Sequence, residues 1–507
     1  MKVILAGYSL DHEFVRQMMD GTWDPESPPT PETLSAAYAR ISRDPAPVDE
    51  LRAVARRDVG AARKSNSIIV FGMGHHSVAE HVQLNFDVLG VSRLALEALE
   101  EARLCSYTEK SQRYITLEGD TVVPDELDER QRGILEEVTA MQVELYERAL
   151  PVLHEHHARL HPDMQDSKRD RETVEGWAKE DARYALSLAT EAQLGFSANA
   201  RNLEHVIRKL RHHPLAEVRS LSAALYEEAA RVVPSLIILS DPERFRETFG
   251  REVSDAHLEH GGEDLARASA TVMTGESGEE AECVAGSGDV RLVAYTPEPD
   301  VQVCAALLFA GSGAPLGRCV ARARELARED AEALRRLVLS SLERHTAFDP
   351  PPRSFEAATF TFEIELSASA FAQLKRHRMT TQIKAPYDPD LPCTLPESVR
   401  RTDMAGDFQR VFDASARAYR GLAEEVGAAA AEYALTNAHR RRVLLCCNLR
   451  EVYHLARIRM DRHAQWDIRA IGGDIVEVVR AVAPASAALA CGKDAFVRRR
   501  AELYGQR

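Results

Sequence analysis

Val82-Gln-Leu-Asn-Phe-Asp-Val88 alternates apolar with polar residues, and Phe360-Thr-Phe-Glu-Ile-Glu-Leu366 does the same in the second half of the chain. Successive side chains of a strand point to opposite faces, so each stretch predicts a half-buried β-strand with one face on a core. Working outward, each strand leads into a short helix with a basic or polar end, Arg93 to Arg103 first and Ala370 to Arg378 second. Upstream, Val3-Ile4-Leu5-Ala6 is echoed by Leu292-Val293-Ala294. Downstream, Ile134, Val138, Met141 and Leu145 fall on one helical face, as do Phe408, Phe412, Ser415, Tyr419 and Leu422. Finally Asn199-Ala-Arg201-x-x-x-His205 is matched by Asn448-Leu-Arg450-x-x-x-His454. Features recurring in one order predict two copies of a single domain, at 1–240 and 289–507. A stretch rich in Gly, Glu, Ser and Ala, 241–288, reads as the linker between them. The segment carrying Pro25, Pro28, Pro29 and Pro31 reads as a loop.

The 507 residues are too many for one ordinary core, and 45% hydrophobic with 28% charged content is that of a soluble globular protein. No run of eighteen apolar residues predicts a membrane span, and the amino-terminal Val-Ile-Leu-Ala reads as a buried strand, not a signal peptide. Eight scattered cysteines without a C-x-x-C pair point to reduced thiols in the cytoplasm. A net charge of -15 argues against non-specific nucleic-acid binding; an anionic small ligand then needs a local arginine cluster.

Such clusters exist. The first half reads His76-Ser-Val-Ala-Glu80-His81, Gly90-Val-Ser-Arg93, then Arg103, seven residues, and Ser111-Gln-Arg113-Tyr114. The second reads Gln373-Leu-Lys-Arg376-His377-Arg378 and, later, Arg459-Met-Asp-Arg-His463-Ala-Gln465-Trp466-Asp467. In order and spacing these motifs resemble the flavin-dependent thymidylate synthases, over most of both halves. The resemblance implies an α+β fold, an antiparallel sheet flanked by helices in each copy, and a homodimer reproducing a four-domain assembly. It implies reductive methylation of dUMP to dTMP with FAD, NADPH and methylenetetrahydrofolate.

Each half departs from the family signature, and the departures are complementary. In the first, Arg-His-Arg has become Glu101-Ala102-Arg103 and the preceding glutamine is Ala98, but Glu109, Ser111, Gln112 and Arg113 remain. In the second, Gln373 and Arg376-His377-Arg378 remain, but Lys384, Pro386 and Asp388 stand where Glu109, Ser111 and Arg113 stand in the first. Arg183 is matched by Glu432. The catalytic arginine of the family falls on Arg459, its first-half place on Leu210, or on Lys209 with a one-residue deletion. The resemblance implies that the dUMP site is shared between domains. One composite site would then be whole, with Gln373, Arg376 and catalytic Arg459 from one copy and Glu109, Ser111, Gln112, Arg113 and Arg183 from the other. Arginine forks suit a phosphate dianion, and Arg459 would stabilise charge on the uracil ring. The resemblance assigns FAD to Arg376, His377, Arg378, Asn448, Arg450 and His454, with Ser77 or the trio Asn199, Arg201 and His205. The reciprocal site would reject the nucleotide.

Other readings stay open. Glu80 and His81 suit a hydrogen-bonded pair as well as a flavin contact. His154-Glu-His-His157 with His161 reads as an exposed helix face; the H-E-x-x-H zinc spacing is absent, and no metal is expected. Cys446-Cys447 reads as core. Another pyrimidine nucleotide, another one-carbon unit, or flavin and nucleotide binding without turnover are the alternatives.

Overall fold

The computed structural model describes residues 1–23, 29–112, 120–164, 166–274, 284–286 and 288–505. Alternation of apolar residues builds two four-stranded antiparallel sheets. In the first, Lys2–Tyr8 (β1), Gln83–Ser92 (β2), Ser106–Glu109 (β3) and Glu191–Asn199 (β4) lie in the order β1-β2-β4-β3. In the second, Val290–Tyr295 (β5), Thr359–Ser367 (β6), Thr381–Lys384 (β7) and Arg440–Asn448 (β8) repeat it as β5-β6-β8-β7. Even an irregularity repeats: the edge strands slip register at Leu5/Gly7 and at Leu292/Ala294. Leu84, Phe86 and Val88, like Phe360, Phe362 and Ile364, are buried beneath helices, and the architecture is α+β as expected.

Helices follow in matching order. After β2 and β6 come Arg93–Leu99 and Ala368–Leu374, each capped by a serine hydroxyl, Ser92 or Ser367, that accepts an N–H of the first turn. The long helices Glu129–Leu160 and Ala405–Val426 each lead to a 3-10 turn, Arg183–Ala185 and Glu432–Ala434. After β4 comes Ala200–Arg211, and after β8 comes Leu449–Arg459. The stretch read as a linker holds the helices Pro242–Phe249 and Gly261–Met273; Phe245 is buried in the first core, whereas Leu265, Val272 and Met273 are exposed. Residues 275–283 and 287 of it, with Pro25 and Pro28 of the expected loop, lie outside the described residues. Among the described residues no helix is long and apolar enough to cross a membrane.

The halves face each other about a pseudo-two-fold axis. Ser187 and Thr436, counterparts in the repeat, form an antiparallel bridge with each other. On either side Leu188 N–H donates to the Leu435 carbonyl and Asn437 N–H to that of Leu186, both at 2.9 Å. Tyr184 reaches across to Asp467 and Tyr433 reaches back to Glu217, the carboxylates that also hold the capping hydroxyls of Ser367 and Ser92. Leu145, Tyr146, Leu153 and Tyr184 share one apolar cluster with Phe408 and Phe412. Burying a side chain of this size contributes roughly 1.5–3 kcal/mol, so the cluster ties the halves into one body. Within it, the Gln142 amide donates to Ser415 Oγ and to the Ala434 carbonyl, both at 2.8 Å.

Candidate active site

The pseudo-two-fold axis brings the helix Ala368–Leu374 and the turn after it against β3 of the other half. Lys375 meets its own counterpart, Glu100, at 2.6 Å, and both side chains are buried. Beside them Arg376 donates to Glu109 at 3.2 Å, Arg378 donates to Ser106 Oγ at 3.2 Å, and Arg93 stands 3.9 Å from Glu109. Burial alone would raise the pKa of Glu109; Lys375, Arg93 and Arg376 overcome that and hold it below the ordinary glutamate range.

A polar chain continues inward. Gln373 donates to Gln465 Oε1 at 3.4 Å, Gln465 donates to the Tyr184 hydroxyl at 2.7 Å, and Tyr184 donates to Asp467 at 2.8 Å. Tyr184 directly follows Arg183, which is buried and whose carbonyl accepts from the Asn437 amide at 3.0 Å. The same amide donates to Gln112 Oε1 at 3.4 Å, with Ser111 beside it. Arg459 donates through Nε to His377 Nε2 at 3.1 Å and through a terminal nitrogen to the Gln373 carbonyl at 2.7 Å. Arg376 of the second half thus meets Glu109 of the first directly, Gln373 reaches Tyr184 beside Arg183 through Gln465, and Arg459 stays within the second half, on His377 and Gln373. Arg113 lies outside the described residues.

His377 is fully buried and has both ring nitrogens engaged, Nδ1 donating to Glu451 at 2.8 Å. Burial and then Arg459 lower its pKa to about 3, so the ring stays neutral and Nε2 remains an acceptor. Glu451 and His454 stand close by, the three residues placing their polar atoms within 4.8 Å of one another. Asn448 caps the helix Leu449–Arg459 by accepting from Glu451 N–H at 3.0 Å; Arg450 donates to the Pro351 carbonyl at 2.9 Å and to Glu356 at 3.3 Å. In the first half Asn199 caps its helix in the same way, and Arg201 pairs with Glu80 as Arg450 pairs with Glu356. Glu80 therefore binds Arg201 and not His81, whose ring packs edge-on against Tyr38 at 4.7 Å. Ser77, Arg201 and His205 are exposed on first-half elements.

The reciprocal place carries the inverted charges. Lys384, counterpart of Glu109, pairs with Glu101, counterpart of Arg376. Glu97 gathers Lys384 at 3.2 Å, the Tyr387 hydroxyl at 2.9 Å and Arg441. Asp388 pairs with Arg442, and Ala98 is buried. Glu217 and Asp467 do the same work one residue out of step with Asn199 and Asn448, so the first half is one residue shorter here. Of the two first-half places matched to Arg459, Lys209 pairs with Glu101, while Leu210 lies in the core.

The histidine-rich stretch is not the exposed face expected. Only His154 is exposed; His156 is buried, and His157 and His161 line a cavity of about 300 Å³ with Trp177 and Trp466. The helix turns them toward the partner half, which periodicity within one half does not reveal. Cys447 is buried as expected, and its thiol is pushed up by burial. Sequence reasoning left Arg93, Lys375, Glu451 and Tyr184 without a role. The first had a signal, a lone arginine opening the otherwise apolar Leu94-Ala-Leu-Glu-Ala-Leu99.

The thymidylate synthase complementing protein family matches residues 26–235 and again 291–485. A UPF0159 protein of Thermoplasma acidophilum is 25% identical over 90% of this chain and 93% of its own length. The flavin-dependent thymidylate synthase of Clostridium tetani is 28% identical over 43% of this chain and 85% of its own, and that of Geobacter sulfurreducens 30% over 41% and 81%. A solved flavin-dependent thymidylate synthase from Helicobacter pylori, complexed with FAD and dUMP, aligns with 47% of this chain and 100% of its own at 21% identity and a TM-score of 0.30.

Proposed function

The chain belongs to the thymidylate synthase complementing protein family, and from that premise we propose that it is a flavin-dependent methyltransferase converting dUMP to dTMP. The observation that carries this reading is the contact of Arg376 with Glu109 across the pseudo-two-fold axis, with Arg459 held on Gln373 behind it, set against the charge-inverted reciprocal pair Lys384–Glu101. In this reading the chain is a tandem duplication, with domains 1–240 and 289–507 joined by 241–288. Each chain then holds one working site, built between its own halves.

Arg183, with Arg113, binds the phosphate dianion, and the Ser111 hydroxyl adds a donor. Gln373 and Arg376 face the base. Arg459, held by neutral His377, stabilises negative charge developing on the ring. The carboxylate of Glu109 keeps Arg376 in place. The flavin would be held around the helix Leu449–Arg459, where Arg450 stands in the first turn and exposed His454 in the next, at the end whose N–H groups and cations suit a diphosphate, with Arg378 reaching from the turn that contacts Ser106. Arg376 and Asn448 complete that set, with Ser77, Asn199, Arg201 and His205 as first-half candidates. FAD, when bound, supplies the hydride chemistry. Buried His377 serves by orienting Arg459. NADPH and methylenetetrahydrofolate are the proposed co-substrates, the cytoplasm the proposed location, and a homodimer the proposed assembly.

The test is the visible spectrum of the purified protein, with transfer of labelled one-carbon units to dUMP and growth of a thymidine-requiring bacterium. Flavin absorbance with labelled dTMP is expected. Flavin bound without label in any pyrimidine nucleotide, or no flavin taken up at all, overturns the reading.

A further inference from the structure

The reciprocal place is not filled in. A cavity of about 350 Å³ lies between the helix Arg93–Leu99, the segment after β7 and the short helix Ala428–Ala431, a size within the range of small-molecule sites. By pseudo-symmetry it corresponds to the site assigned above to dUMP. Its chemistry differs at each point where a phosphate would sit: Pro386 replaces Ser111, Asp388 replaces Arg113, and Glu432 replaces Arg183. The cations that remain are committed, Lys384 to Glu97 and Glu101, Arg441 to Glu97. Among the described residues a dianion would meet the Glu97 and Glu432 carboxylates beside these already paired cations. Leu94, Ala98, Leu215 and Pro386 give the walls an apolar surface suited to a flat ring.

The floor asks for a hydrogen-bonding ligand. Arg441 lines the cavity, its side chain only 3% exposed and its guanidinium 3.6 Å from the centre of the Tyr387 ring. Glu432 accepts from Tyr387 N–H at 2.9 Å. Burial raises its pKa despite Arg441, which favours the neutral carboxyl form.

We propose that this cavity is a second ligand site, taking an uncharged heterocycle of nucleoside size that offers a carbonyl to Arg441. Pyrimidine nucleosides, substrate or product without its phosphate, are the members of that class selected by the pseudo-symmetry. The choice of pyrimidine rests on the function proposed above; the preference for an uncharged ligand does not.

Full-length protein saturated with dUMP is titrated calorimetrically with thymidine and with deoxyuridine. One nucleoside per chain is expected to bind without displacing dUMP. Ala428→Trp, at an exposed rim position, should weaken nucleoside binding by roughly tenfold or more through steric filling and leave dUMP binding unchanged; Pro386→Trp repeats the test should the first variant fold poorly. Arg376→Ala should do the reverse. Nucleoside that competes with dUMP, that ignores both tryptophan variants, or that gives no heat at millimolar concentration overturns the proposal. Failure of dUMP itself to bind counts against the proposed function instead.

Discussion

His377 shows how much of the site depends on contacts that no local motif encodes. The Arg-His-Arg triplet is plain in the sequence, and so is Arg459. That the histidine holds Arg459, with Glu451 behind it, depends on the packing of the helix Leu449–Arg459 against the turn after Ala368–Leu374. His377→Ala should remove the acceptor for Arg459 and lower kcat by roughly ten- to hundredfold, the worth of one charge-assisted hydrogen bond of about 1.5–3 kcal/mol. KM for dUMP should change little. His377→Gln, which can accept from Arg459 and donate to Glu451, should recover part of the loss. Equal effects of the two variants, or a change confined to KM, would show that the ring is only packing. The partners of Arg93 and Lys375 were illegible for the same reason: Glu109 and Glu100 are named only by the packing at the pseudo-two-fold axis.

Among the elements, strands and helices were legible where their apolar period was strong, because period two or period 3.6 is a property of the segment itself. Which face of the helix Glu129–Leu160 met the other half was not. The serine caps are the joints that set the site helices. Ser367 Oγ accepts from Ala370 N–H at 3.0 Å and donates to buried Asp467 at 2.5 Å. Ser367→Ala should cost about 1–2 kcal/mol in urea denaturation and weaken turnover through Gln373 on the same helix; unchanged stability would refute the cap. The helix Ala200–Arg211 offers a pH test. Burial raises Glu204 to about 8, although Leu239 N–H, donating at 2.7 Å, and Arg208 oppose it. The folded state therefore binds a proton that the unfolded chain releases near pH 4.5, and stability falls as pH rises from 4.5 to 8. Glu204→Gln lacks this proton. Its stability relative to the parent should climb by about 1.4 kcal/mol per pH unit across that window. A constant difference from pH 5 to pH 8 would mean that Glu204 is already ionised.

For the whole molecule, the pairing of halves is written in opposite charges at equivalent positions. Lys375 faces Glu100, and Arg376–Glu109 is mirrored with inverted sign by Glu101–Lys384. Lys375→Glu sets two buried glutamates against each other and should cost about 3–5 kcal/mol. The double exchange Glu100→Lys with Lys375→Glu should restore most of that in thermal unfolding; no recovery would remove the pair from the account of how the halves join. In the proposed function both sides of the site come from one chain, so mixing inactive Arg183→Ala with inactive Arg376→Ala should rescue nothing. Return of activity on mixing would place the working site between chains. The repeat of sheet and helices was legible from order and spacing, but not the contact of Arg376 with Glu109, since the two stand 267 residues apart. That separation also has a meaning in time. At roughly 5–20 residues per second a ribosome needs roughly 13–53 s to travel from one to the other. During synthesis the first half can complete its sheet while the surface around Tyr146, Leu153 and Tyr184, which Phe408 and Phe412 later cover, stays open. The nascent chain thus passes through an interval of adhesiveness, in which the first half of a neighbouring polysome product can compete for the place its own carboxy-terminal half will take.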